Sequence, residues 1–158
     1  MINNLEIAKS RETISGQIQL SECKRLIELL VKNSVKEQSV SYSLEGMMKK
    51  FHLPSLYLAI NTTMPVICQR CLIEMKLDLS LTFDYVVSEA EPEAFDGNED
   101  ADWLEKSREM DLNALIEDEL LMAIPLAPTH SHDCKPTQTE SGEKHNPFAV
   151  LKKLKGKS

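Results

Sequence analysis

The sequence predicts an α+β fold: an antiparallel β-sheet, open or barrel-like, flanked by helices, with an acidic loop, a flexible C-terminal linker and a short basic helix. Three observations carry this prediction. First, Ile73, Met75, Leu77, Leu79, Leu81, Phe83, Tyr85 and Val87 take every odd position of one stretch, while Glu74, Lys76, Asp78, Ser80, Thr82 and Asp84 take the even ones. That is a strand with one buried and one wet face, as in an antiparallel sheet covered on one side by helices. Second, the residues between Asp111 and Pro125 have helical spacing and a helical start and stop. Third, the chain has 158 residues, of which 42% are hydrophobic and 27% charged. This is the size and composition of one domain, able to bury roughly 70% of its unfolded surface.

Taken in order, residues 3–11 form a short first helix with Ile7 and Ala8 on one side, and Gly16 lets the chain turn. Ile14, Ile18 and Leu20 alternate as a short strand. Ser21 caps a segment in which Leu26, Ile27, Leu30 and Val31 form an apolar stripe, which predicts an amphipathic helix ending near Asn33. Val40, Tyr42 and Leu44 alternate with Ser39, Ser41 and Ser43. Leu56, Leu58, Ile60 and Met64 alternate with Tyr57, Ala59 and Asn61, and this strand meets the one above around Pro65–Cys71. Glu89, Glu91, Glu93, Asp96, Glu99, Asp100, Asp102 and Glu105 mark an acidic, solvated loop over about 88–109, with Trp103 its one residue suited to docking. Asp111 caps a helix that Pro125 stops after Ile124. Residues 1–130 thus make one domain, 131–146 read as a flexible linker, and Asn146-Pro147 opens a basic tail helix over 147–158.

Composition excludes several classes of function. A net charge of −7 is wrong for coating nucleic acid by charge alone, and 5% aromatics are too few for a stacking surface. No run approaches the roughly 18 apolar residues of a membrane helix. The opening MINNLEIAKSRETISG carries charges where a signal peptide is apolar, so the expectation is a cytoplasmic protein with reduced cysteines and neither membrane nor DNA as partner.

Four constellations bear on chemistry. Cys68-Gln69-Arg70-Cys71 puts two thiolates on one turn, where they can hold one metal ion or act as a redox pair. Redox use wants a helix after the motif, and a strand follows here. His130-Ser131-His132-Asp133-Cys134 supplies the second half of a tetrahedral set: Cys68, Cys71, Cys134 and His130, with His132 as the alternative ligand. Such a set would hold one structural zinc ion; the competing reading is free thiols. Cys23 lies in a predicted helix and reads as a small apolar residue, and His52 and His145 have no assigned role. Consecutive carboxylates Glu117, Asp118 and Glu119 are about 100° apart around a helix and cannot converge on one ligand. Glu119 shares the stripe of Leu112, Leu115, Ile116 and Ala123, so it must be paired or neutral. A hydrogen bond from Arg70 or another buried donor, fixing the helix against the Cys68–Cys71 turn, is the structural reading; a catalytic acid is the rival. The tail sets Phe148, Leu151 and Leu154 among Lys152, Lys153, Lys155 and Lys157. It is either a docked helix with solvated lysines or a segment that binds RNA phosphate or a partner groove.

Three blocks together resemble the YceD family, the large ribosomal RNA subunit accumulation proteins of bacteria and plastids. They are Cys68-Gln69-Arg70-Cys71; Asp111-Leu112, Leu115-Ile116-Glu117-Asp118-Glu119-Leu120 and Ala123-Ile124-Pro125-Leu126; and Asn146-Pro147-Phe148-Ala149-Val150-Leu151. The resemblance spans about residues 14–155. It implies a role in the synthesis, processing or stability of 23S ribosomal RNA. Some relatives carry Cys-x-x-x-Cys after the Pro-rich turn, so His130 here stands in place of the first cysteine and keeps a metal-ligand type. The expectation is a ribosome biogenesis factor that is not an enzyme. Its partner is 23S rRNA, contacted through Asn146, Pro147, Phe148, Leu151, Lys152, Lys153 and Lys155, or else a large-subunit ribosomal protein for which it serves as adaptor or chaperone.

Overall fold

The computed structural model describes residues 1–48, 53–89 and 102–136. The tail 147–158 with its candidate binding residues, the linker from 137 onward and residues 90–101 of the acidic stretch lie outside the described residues.

Helix α1 (Asn4–Ser10) is capped by Asn3, whose side chain accepts from the Glu6 N–H. It ends where Arg11 turns left-handed at φ 58° and donates to the Ile7 carbonyl. Strands β1 (Thr13–Gln19), β2 (Ser39–Met48), β3 (Pro54–Ile67), β4 (Glu74–Ser88) and β5 (Asp102–Glu105) make one five-stranded sheet in chain order. Helix α2 (Leu112–Ala123) follows. The first four strands pair antiparallel, while β5 runs parallel to β4. The sheet is therefore mixed and open, with β1 and β5 at its edges, and not a barrel.

Register explains which face is wet. Ile14 faces Leu44, Leu44 faces Leu58 and Leu58 faces Phe83, and Ile18, Val40 and Ile60 share that apolar side. Ser43, Ala59 and Thr82 line up on the other. Leu44, Leu56, Leu58 and Ile60 are fully buried, together with Leu20, Leu26, Ile116 and Leu120 from the layer that covers them. Each such side chain contributes about 1.5–3 kcal/mol relative to exposure. No helix among the described residues is long and apolar enough to cross a membrane.

Two expectations are corrected. No helix runs from Ser21 to Asn33; two 3₁₀ turns, Leu20–Glu22 and Leu26–Leu29, stand there. The apolar stripe does reflect burial, since Leu26 and Leu30 are inside and Ile27 and Val31 are half buried. Acceptors elsewhere claim the backbone, however. Val31 N–H goes to the Pro65 carbonyl at 3.0 Å, and the N–H groups of Arg25 and Leu26 go to the Glu117 carboxylate at 2.7 and 3.1 Å. Tertiary hydrogen bonds thus replace the helical ladder. At the end of the acidic stretch, Asp102–Glu105 are strand β5 rather than loop. Asn4, fully buried, holds the chain there: its side chain donates to the Glu105 carbonyl and accepts from Ser107 N–H, both at 2.9 Å. Trp103 lies in this strand and donates to Ser88 Oγ at 2.9 Å.

Gly46 is where α1 crosses the sheet. A Cβ there would collide with the backbone carbonyl of Ile7 and come within 3.1 Å of the Ala8 Cα, so only glycine permits the approach. At Gly16 the obstacle is the Tyr42 hydroxyl, the movable end of a side chain. Gly46→Ala is expected to cost about 1–3 kcal/mol in urea unfolding, and Gly16→Ala clearly less.

Candidate metal centre

β3 and β4 form a hairpin whose tip is Cys68–Leu72. Cys68 N–H bonds to the Ile73 carbonyl at 3.0 Å, and Leu72 N–H returns to the Cys68 carbonyl at 2.9 Å. Leu72 is left-handed at φ 59°, which folds the tip tightly enough to bring both cysteines to one side. After α2, Pro125 prevents the helix from continuing, and the chain runs back past the hairpin tip. Gln69 N–H donates to the Pro128 carbonyl at 2.8 Å and fixes that return.

The return delivers His130 and Cys134 to the two hairpin cysteines. One ligand atom from each of Cys68, Cys71, His130 and Cys134 lies within 4.8 Å of all the others. Cys68 Sγ is 3.7 Å from Cys134 Sγ, and Cys71 Sγ is 3.5 Å from His130 Nδ1. With metal–sulfur bonds of about 2.3 Å and metal–nitrogen bonds of about 2.0–2.1 Å, a tetrahedral zinc site has edges of about 3.8 Å (S–S) and about 3.6 Å (S–N). These two edges match a tetrahedral site, and the four donors lie close enough together that they could hold one metal ion. His132 is not among them; its ring sits 4.7 Å from that of His130, tilted by 43°.

Electrostatics favour a thiolate at the centre. Burial opposes charge on Cys68, but the backbone N–H groups of Cys71, His130 and Arg70 and the Cys71 thiol all point at its sulfur, and the net effect lowers its pKa to about 5. Burial raises the pKa of Cys134, and the neighbouring sulfurs of Cys68 and Cys71 raise it further. Four such donors are the set of a structural metal site, in which every coordination position would be filled by the protein. The strand after Cys71 leaves no helix N-terminus to support a redox pair. Cys23 is a buried thiol whose pKa rises to about 11, first through desolvation and then through Glu117 and Glu22, so it is inert packing as expected.

The anticipated pairing of Arg70 with Glu119 is not present. Arg70 lies 3.5 Å from fully exposed Asp133 instead, an ion pair of little energetic weight. Glu119 accepts from the Tyr85 hydroxyl at 2.7 Å, and this bond fixes α2 to β4 rather than to the hairpin tip. Tyr85 is held protonated by its burial and by Glu119. Carboxylate convergence also needs correction. Glu117 and Asp118 both reach the Arg25 guanidinium, at 3.2 and 2.6 Å, because its planar fork is wide enough to meet adjacent helix positions. Glu117 in addition caps the turn at Leu26 through its two backbone bonds. Sequence reasoning missed this role, because the turn start at Arg25-Leu26, without a local capping side chain, emerges only in the structure.

Tyr85→Phe should cost about 1–3 kcal/mol in urea unfolding by leaving the half-buried Glu119 carboxylate without its donor. Glu119→Gln, which keeps an acceptor, should cost less, and Arg70→Ala should stay within about 0.5 kcal/mol.

A family model described as "Large ribosomal RNA subunit accumulation protein YceD" matches residues 56–155, which include β3, the hairpin tip, β4, α2 and the return segment. A protein of Haemophilus influenzae (strain ATCC 51907 / DSM 11121 / KW20 / Rd), itself named "Large ribosomal RNA subunit accumulation protein YceD", is 29% identical over 168 residues, covering 99% of this chain and 95% of the relative. No solved structure matches. With more than half of its length matched by one family model, including both hairpin cysteines and the segment that brings His130 and Cys134 to them, the chain belongs to the YceD family.

Proposed function

We propose that this protein is a cytoplasmic, non-catalytic factor in the accumulation of large-subunit ribosomal RNA, acting in the synthesis, processing or stability of 23S rRNA. The observation that carries the reading is the match of residues 56–155 to a family described by that process. The near full-length Haemophilus relative bears the same description. In this reading Cys68, Cys71, His130 and Cys134 hold one structural zinc ion, whose chemistry is to cross-link the hairpin tip to the chain after α2. The lysines at 152, 153, 155 and 157 contact RNA phosphate, which suits a protein whose net charge of −7 would otherwise repel the backbone.

Two experiments test the reading. Metal analysis of purified protein should find about one zinc per chain, and Cys68→Ser should reduce this to a small fraction and lower the melting temperature. An unchanged zinc content in that variant would remove the site. In cells depleted of the protein, the ratio of large- to small-subunit rRNA should fall, and wild-type protein should restore it while Cys68→Ser restores it less. A ratio that does not change on depletion overturns the functional reading.

A further inference from the structure

An apolar groove lies open beside the hairpin tip. Its walls are Leu29 of the second 3₁₀ turn, Val66 and Ile67 at the end of β3, and Leu121, Ile124 and Leu126 at and beyond the end of α2. It encloses about 480 Å³, room for more than one apolar side chain. Leu29 and Ile67 are exposed, and Leu126 fully so. Glu28 is the one charged residue of the lining, and Glu74 stands opposite Ile67 in the register of β3 against β4. An open apolar patch with an acidic rim is a surface built for contact.

The described chain ends next to this groove. Gln69 and Pro128 line it too, joined by their 2.8 Å hydrogen bond. Cys134 Sγ stands 3.7 Å from Cys68 Sγ, and Cys68 directly follows Ile67. Pro136, two positions after Cys134, is the last described residue. Phe148 follows Pro136 by twelve residues. A linker of that length and composition has a root-mean-square span of about 20 Å, enough to bring Phe148 back to the groove.

The tail supplies what the groove lacks. A helix as short as 147–158 is marginal in water unless something covers its apolar side. Phe148, Leu151 and Leu154 recur at three-residue spacing and fall on one side of the helix predicted there, with Lys152, Lys153 and Lys157 on the other. No acid follows Glu143, so the tail is basic where the rim of the groove is acidic. The stretch 90–101 carries acids and no cation, the wrong sign for the same rim.

We propose that the tail of this chain docks in this groove through Phe148, Leu151 and Leu154. Docking leaves Lys152, Lys153 and Lys157 on the outward side, and it depends on neither the metal nor RNA.

Hydrogen exchange on the full chain, at a low and a high protein concentration, tests this. Backbone amides of 149–154 should exchange about tenfold or more slowly than in a synthetic peptide of residues 147–158. Leu29→Asp and Leu126→Asp alter exposed groove residues, and each should speed the tail amides by about tenfold or more. Met122→Asp, at an exposed position of α2 outside the groove, should leave them slow. Phe148→Ser changes the tail alone, should act like the groove variants, and keeps the test available if a groove variant loses its fold. The amides of α2 in the same experiment report that fold. A wild-type tail that exchanges at the peptide's rate overturns the proposal. So does a slow tail indifferent to Leu29→Asp and Leu126→Asp in folded protein. Protection that appears only at the high concentration overturns it as well, since the groove is then filled by the tail of a second copy.

Discussion

The register of β3 against β4 is the constraint on which the rest of this structure depends. It runs unbroken from Ile67↔Glu74 to Ser55↔Val86, and a slip of one residue would send the apolar row of β4 to the wet face. The same register closes the hairpin at Cys68–Leu72, so both cysteines stand at its tip, and it sets Tyr85 opposite Leu56 near the other end. The candidate ligands Cys68 and Cys71 at one end and the anchor for α2 at the other are therefore consequences of one pairing.

Polar side chains then tie the covering layer to this sheet. α2 buries Leu112, Ile116 and Leu120, but apolar contact alone does not choose its position along the sheet. Glu119 on the Tyr85 hydroxyl and Glu117 on the backbone of Arg25 and Leu26 supply that choice. Asn4 does the same for the chain between β5 and α2. Among the described residues no buried side-chain nitrogen or oxygen lacks a hydrogen-bond partner, so the desolvation of these anchors is offset by the bonds they make.

The Cys68, Cys71, His130 and Cys134 cluster is the point where two parts of the chain distant in sequence are joined. Pro125 ends α2, Gln69 N–H captures the Pro128 carbonyl, and the next residues arrive at the hairpin tip. A lowered Cys68 pKa follows from backbone N–H groups converging on one sulfur, and the same groups would stabilise a thiolate bound to a metal. The short contacts within it run between the hairpin tip and the returning segment, Cys68 to Cys134 and Cys71 to His130.

Local pattern determined much of this protein. The period-2 run at 73–87, the alternation at 39–44 and 56–64, the Asp111 cap and the Pro125 stop each express a preference that neighbouring residues settle among themselves. The four residues of the cluster were legible from their types and spacing, with His132 as the alternative to His130, while their meeting in space was not. Tertiary structure decided what depends on distant partners. It dissolved the apparent helix at 21–33, because Glu117 and Pro65 offered its backbone better acceptors. It also drew a fifth strand from an acidic stretch through Asn4, and gave Glu119 to Tyr85 instead of Arg70. Periodicity reports which side chains are buried; where the backbone hydrogen bonds go, and which of two donors a carboxylate meets, is fixed only when segments far apart in sequence come together.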